Sequence, residues 1–388
     1  MRIWNRIASF CLSVVLLSGM LSAAEPTPKL NPDAPYQAAR SNPVTYQVEL
    51  LVTVTPPYKS KQLKVWMPIP QSDFGQEVSD RRFTTFPLEV EAKIDAEPMF
   101  GNKFAYFEFD NPQGAQVIRH QFAVKVWELR WNLDPDRVQS VSEWPASFDR
   151  YRRSEQQAIV VDERFNKLLS EVVPKRTSPL RDFEQVMGWV NRNFEYDHIE
   201  ASLRADSLHG LTKHRGHCSD YHGFCAAMGR AMGYPTRVTY GINTFPKNSP
   251  SHCKLEAYLP SYGWVSFDVS ETQKLITDIR KNKDLSASDQ ERLSNAANRR
   301  LMQGFRDNTW FIQTRGTDYD LVPKASRRVP VVRTIYAEAD GVALPDPDPA
   351  NKQQTGFAWM TAHQYVSDKP VRYPFTDLKS LEADTPPA

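Results

Sequence analysis

Past its first two dozen residues the chain lacks any apolar run long enough to cross a bilayer, so no helical membrane span is expected downstream. It also lacks an excess of either charge. The formal net charge is +2 over 388 residues, and Arg2 and Arg6 lie in the extreme N-terminal segment, which leaves the remainder near neutrality. That argues against nucleic acid as a partner. Internal repeats are absent, so a stacked-repeat architecture is excluded. Cysteine is scarce: there are four, with Cys11 in the N-terminal apolar run and Cys218, Cys225 and Cys253 clustered far downstream. An odd, clustered set is not a disulfide framework, and at least one thiol stays free.

The N-terminus itself is informative. Arg2 and Arg6 precede an apolar run from Ile7 to Leu21, and Ser22-Ala23-Ala24 offers small residues for cleavage before Glu25. This reads as a signal peptide over 1–24. Cys11 comes too early for a lipoprotein cleavage site, so the expectation is a soluble chain, secreted or periplasmic. Residues 25–43, rich in Pro and Ala, read as a flexible leader. From Val44 the pattern turns to strands, with Val44, Tyr46, Val48, Leu50, Val52 and Val54 alternating with polar residues, then Leu63, Val65, Met67 and Ile69. The segment 44–136 is therefore expected to be an antiparallel β-sandwich-like domain.

Helical spacing follows. Phe165, Leu168, Leu169 and Val172 share one face, and Ser178-Pro179 supplies a cap and first-turn proline for a helix carrying Phe183, Val186, Met187 and Val190. The charged stretch 280–300 has no strong apolar face and reads as an exposed helix or loop. Strand-like segments return at 310–312 and 331–336, and the proline-rich 344–355 reads as a surface loop. The class is α+β.

Three residues carry the chemistry: Cys218, His252 and Asp268. Tyr221, Phe224, Cys225, Met228, Ala231 and Met232 recur at helical spacing after Cys218, and Gly233 and Pro235 stop that helix. Gly216 can take a tight turn before it, which places Cys218 in the first turn, where amide groups and the helix dipole stabilise a thiolate. Around Pro260-Ser261-Tyr262-Gly263 the period changes to two, predicting a hairpin that brings Asp268 within a few residues of His252. A carboxylate on one imidazole nitrogen leaves the other for the thiol, which is the arrangement of nucleophile, base and orienting group used in acyl transfer.

The blocks Gly216-His217-Cys218-Ser219-Asp220, 230–238, His252-Cys253-Lys254-Leu255-Glu256, 258–265 and Asp268 resemble the transglutaminase-like superfamily. The segments 186–197, 314–323 and 336–341 are similar to its secreted bacterial branch. The resemblance implies a papain-like core over 150–275 with a catalytic Cys218-His252-Asp268 triad, preceded by the sandwich and followed by an extension over 276–388 whose strands pack on the core. It also offers Tyr196 as an oxyanion donor, because the family places an aromatic upstream of the cysteine. Two departures stand out: Lys254 replaces the usual tryptophan, and Ser219 replaces the tryptophan that follows the nucleophile in the animal enzymes.

These readings predict an exported, cysteine-dependent acyl-transfer enzyme that acts on amide or peptide bonds through a thioester and needs no cofactor or metal. Lys254, expected to make one cleft wall polar and wet, favours hydrolysis over cross-linking. Substrates would be proteins or peptides, with peptidoglycan stem peptides suggested by the compartment. The alternatives are a protein-glutamine transglutaminase and a non-catalytic binding protein on the same fold. A zinc site from His214, His217, Cys218, His222 and His252-Cys253 is the rival chemistry. Its spacing fits no common pattern, and the adjacent His217 and Cys218 are expected to point apart. Cys225 is expected in the core, and Cys253 buried on the strand face opposite His252. Glu256 has two open readings, a helper at the site or a structural ion pair.

Overall fold

The computed structural model describes residues 30–246, 250–347 and 358–384; the expected signal peptide, part of the leader and most of the proline-rich loop lie outside them. Six strands come first: β1 (Ala39–Val54), β2 (Gln62–Ile69), β3 (Gln76–Phe86), β4 (Lys93–Ala96), β5 (Lys103–Asp110) and β6 (Gln116–Arg130). Next are α1 (Glu163–Val172), α2 (Pro179–Asn193), β7 (Glu195–Tyr196), α3 (Ser207–Lys213), β8 (Arg215–Gly216) and α4 (Cys218–Ala231). Then follow β9 (Thr236–Asn243), β10 (Ser251–Leu259), β11 (Gly263–Phe267), α5 (Val269–Lys281) and α6 (Ala287–Met302). The last are β12 (Phe305–Arg306), β13 (Trp310–Arg315), β14 (Tyr336–Ala339), β15 (Val342–Ala343) and β16 (Trp359–Ser367).

Strand β1 makes the architecture. Its period-two stripe is buried along its length, but what covers it changes halfway. Val52 and Val54 pack with Leu63, Val65 and Phe107 between two sheets, whereas Val44, Tyr46, Val48 and Leu50 pack against Ile242 and Phe311 of a third. The first two sheets run β12-β6-β1-β16, with β3 on β6, and β15-β14-β2-β5-β4; the third is β11-β10-β9-β13. One long ribbon thus serves both the sandwich and the core. Gln76 fastens the joint: its side-chain oxygen accepts from the Ile312 amide at 2.7 Å and its Nε2 donates to the Ile312 carbonyl at 2.9 Å.

Two expectations change. Of the C-terminal strands among the described residues, only β13 joins the core sheet, while β14 and β15 extend the second sandwich sheet and β16 pairs with β1 over nine residues. Short strands carry no sequence mark of which sheet edge they will fill. The stretch 280–300 is mostly the helix α6, and it has a buried face of Leu293, Ala296 and Ala297 against Leu275, Ile276 and Ile279 of α5. Two alanines on that stripe hid it from a reading that sought large apolar residues.

Candidate active site

Cys218 is the first residue of α4, as the glycine turn before it required. Gly216 has φ +147, and a Cβ there would collide with the Asp220 carboxylate. That carboxylate accepts from the His217 amide at 2.9 Å, capping the helix start and fixing the approach to the cysteine. The thiol faces β10, which packs along α4. His217 does not point away from it: its Nδ1 is 3.0 Å from Cys218 Sγ, so neighbouring side chains on a cap and a first helical residue converge. The His217 ring in turn lies 4.8 Å from that of His198 and 5.7 Å from that of Tyr196.

The hairpin register supplies the rest. Leu259 pairs with Gly263 and Leu255 with Phe267, so one further step along the ladder would set Lys254 opposite Asp268 and put His252 a step beyond on the same face. His252 Nε2 lies 2.8 Å from Asp268 Oδ2, which leaves Nδ1 for Cys218, its other hydrogen-bonding neighbour. Asp268 is also the N-cap of α5, with Oδ1 accepting from the Glu271 amide at 3.1 Å. Its two oxygens therefore have separate tasks.

Lys254 overturns the expectation placed on it. It lines no wet wall: only 1 % exposed, its Nζ lies 3.0 Å from Asp268 Oδ2 and 2.5 Å from Asp307 Oδ2. A lone lysine on a strand is usually solvated, but here two carboxylates enclose the ammonium, so it offers no polar, wet wall that would favour water as the acceptor.

Cys225 is buried in the core, and burial pushes its thiol up. Cys253 is also buried, yet it is not remote from the site: it neighbours the Cys218 thiol, and its Sγ lies 3.5 Å from His222 Nδ1. His222 accepts the Val269 amide on Nε2 at 3.1 Å, so its proton sits on Nδ1, toward that sulfur. Glu256 resolves to the structural alternative, pairing with Arg237 at 2.6 Å and accepting the Tyr36 hydroxyl at 2.6 Å. Tyr196 stands beside Gly216 in the short β7–β8 pairing, and Lys274 Nζ lies 4.8 Å from its ring centre. Residues that the sequence reading missed are Asp307, His222 and His217 as a thiol neighbour; only the hairpin register pointed toward any of this network.

Electrostatics suit an ion pair. Burial alone would raise the Cys218 pKa, but the Cys253 hydrogen bond and the imidazoles of His217 and His252 hold it well below the ordinary thiol range. Burial would lower His252, yet Asp268 and Cys218 outweigh it and raise the imidazole to about 9. Asp268 follows the same logic, with burial overcome by His252 and Lys254 so that the carboxyl lies well below its usual range. Thiolate and imidazolium are thus the favoured pair near neutrality. Among the described residues no group of three or more His, Cys, Asp or Glu is arranged to hold a metal ion, and no helix is long and apolar enough to cross a membrane. The site is closed: Cys218 and Asp268 are each 2 % exposed and His252 3 %.

Residues 166–269 match the transglutaminase-like superfamily, and the chain carries that core behind a β-rich N-terminal region. A solved structure of a candidate cysteine protease from Cytophaga hutchinsonii superposes with a TM-score of 0.59 at 14 % identity, covering 87 % of this chain and 95 % of its own. That likeness is one of fold. The periplasmic domain of TgpA from Pseudomonas aeruginosa matches at TM-score 0.33 and 16 % identity, over 61 % of this chain and 91 % of its own. An uncharacterized protein of Haemophilus influenzae is 24 % identical over 212 residues, 46 % of this chain; the chain spans about half of that relative's length, 54 %.

Proposed function

We propose that the protein is an exported cysteine-dependent acyl-transfer enzyme acting on amide or peptide bonds, with Cys218, His252 and Asp268 as its triad. The observation that carries this reading is the 2.8 Å contact of His252 Nε2 with Asp268, made while the other ring nitrogen neighbours a thiol at a helix start. Cys218 thiolate attacks the carbonyl carbon. His252 imidazolium gives its proton to the departing amine as the C–N bond breaks, leaving a thioester. Water, deprotonated by His252, then attacks that thioester, the acid is released and the thiolate returns. The Cys218 backbone amide and the Tyr196 hydroxyl are the proposed oxyanion donors.

Hydrolysis is the proposed main outcome, in keeping with the name of the candidate cysteine protease that shares the fold. Export rests on the charged and apolar pattern of 1–24, with a periplasmic or secreted location and protein or stem-peptide substrates as the corresponding proposals.

Burial of the thiol favours a second reading, a closed core that binds a partner without turnover. One experiment separates these. Full-length protein is incubated with an electrophilic amide mimic, then with a glutamine-bearing peptide and a millimolar primary amine. Labelling confined to Cys218 and predominant hydrolysis of the peptide are expected. Predominant amine adduct would make it a cross-linker on the same acyl-enzyme, and an unlabelled Cys218 would favour the binding protein.

A further inference from the structure

His252 and Lys254 lie two residues apart on one face of β10, and both reach the same oxygen, Asp268 Oδ2, at 2.8 and 3.0 Å. A carboxylate oxygen shared with a second cation attracts the imidazolium less than one devoted to it, because the lysine charge offsets part of the field the ring feels. Asp307, at 2.5 Å on Lys254 and itself holding the Thr309 amide at 3.0 Å, keeps the ammonium in place and restores part of the negative charge. All three charged side chains are nearly solvent-free, so screening by water is slight.

Resting on the triad reading above, we infer that Lys254 is a positioning residue which, braced by Asp307, holds Asp268 against His252 and sets the charge balance under which the thiolate–imidazolium pair exists. A cation that was only filling space would need no partner on both sides. A buried ammonium between two carboxylates is a three-charge unit with net charge of minus one, and the imidazolium makes it neutral.

The other groups facing this unit do not confuse the balance. His222 on α4 is held down to about 4 by burial and stays neutral, and burial pushes Cys253, Tyr196 and Tyr373 upward, so they are neutral too. Glu271 on α5 has its own cation, Lys274, at 3.0 Å. Besides the unit itself, Cys218 remains as a partner of His252.

The test needs no substrate. Histidine-labelled full-length protein is titrated by NMR, with the His252 signal assigned by its loss in His252→Gln. The wild-type ring should titrate near 9. Lys254→Met removes positive charge next to Asp268 and should move that midpoint up, by roughly one to two pH units for a charge at this range. Asp307→Asn removes negative charge farther away and should move it down by less. The double variant should fall between the two. If Lys254→Met does not fold, the nearly isosteric Asp307→Asn still carries the sign test. A wild-type His252 titrating at the ordinary histidine value would overturn the triad reading and this inference together. A raised wild-type midpoint that Asp307→Asn leaves in place, or moves up, would overturn this inference alone.

Discussion

Toward the end of β10, Glu256 meets Arg237 at 2.6 Å and takes the Tyr36 hydroxyl at 2.6 Å; near its start, His252 and Lys254 compete for one oxygen of Asp268. These clusters use the same strand face, the same depth of burial and the same kinds of residue. They differ in closure. The Glu256 carboxylate gives one oxygen to the Arg237 guanidinium and the other to the Tyr36 hydroxyl, whereas Asp268 divides itself among a helix cap, an imidazole and an ammonium. The imidazole is left with one nitrogen directed at a sulfur. A closed pair fixes structure, and an unequal network with a member turned outward can move a proton.

The largest effect expected is on rate at the open end. Asp268→Asn keeps the shape and part of the α5 cap but should lower turnover by roughly a thousandfold to ten-thousandfold, since the amide no longer fixes the ring or stabilises its charge. Melting of the variant should stay cooperative. Near-full activity would erase the distinction between the two clusters.

At the closed end the loss should be one of stability. Glu256→Ala strands a buried guanidinium and should cost about 3–5 kcal/mol in denaturant unfolding, while the folded fraction retains its rate per molecule. A selective drop in rate with unchanged stability would return Glu256 to the site.

The smallest effect sharpens the open end. His217 helps to hold the Cys218 thiol below its ordinary range, so His217→Ala should shift the acid limb of the pH–rate profile to higher pH. The alkaline limb, where His252 loses its proton near 9, should stay in place. A shift of the alkaline limb alone would show that His217 acts through the base and not on the sulfur.

How much of this could be read beforehand depends on the range of the interaction. The helix after Cys218, its glycine turn and the meeting of His252 with Asp268 follow from period and turn chemistry, which are local. A lone lysine on a strand reads as solvated, whereas the burial of Lys254 depends on Asp307, more than fifty positions away in a loop with no periodicity. The register gave half of the answer, since a hairpin closing at Leu259 and Gly263 sets Lys254 across from Asp268. The closeness of His217 to the thiol is hidden by the rule that adjacent side chains diverge, which fails at a helix start where the N-cap His217 is still extended and Cys218 already helical. For the sandwich, alternation identified β1 and β2, but which edge β14 and β16 complete is decided by contacts between the two ends of the chain.

The pairing of β1 with β16 gives synthesis a particular timetable. Tyr46 lies opposite Ser367, so the strand that organises the first sheet waits for a partner made more than three hundred residues later. Contacts of such sequence separation close slowly. A nascent chain can complete the thiol-bearing core while β1 still presents an unpaired edge, an invitation to strand exchange with another incomplete copy. Trimming the chain before Trp359 should therefore lower yield and monodispersity, and because it also removes Tyr373 and Phe375 from beside the Lys254 unit, the chemistry of whatever folds should suffer with it.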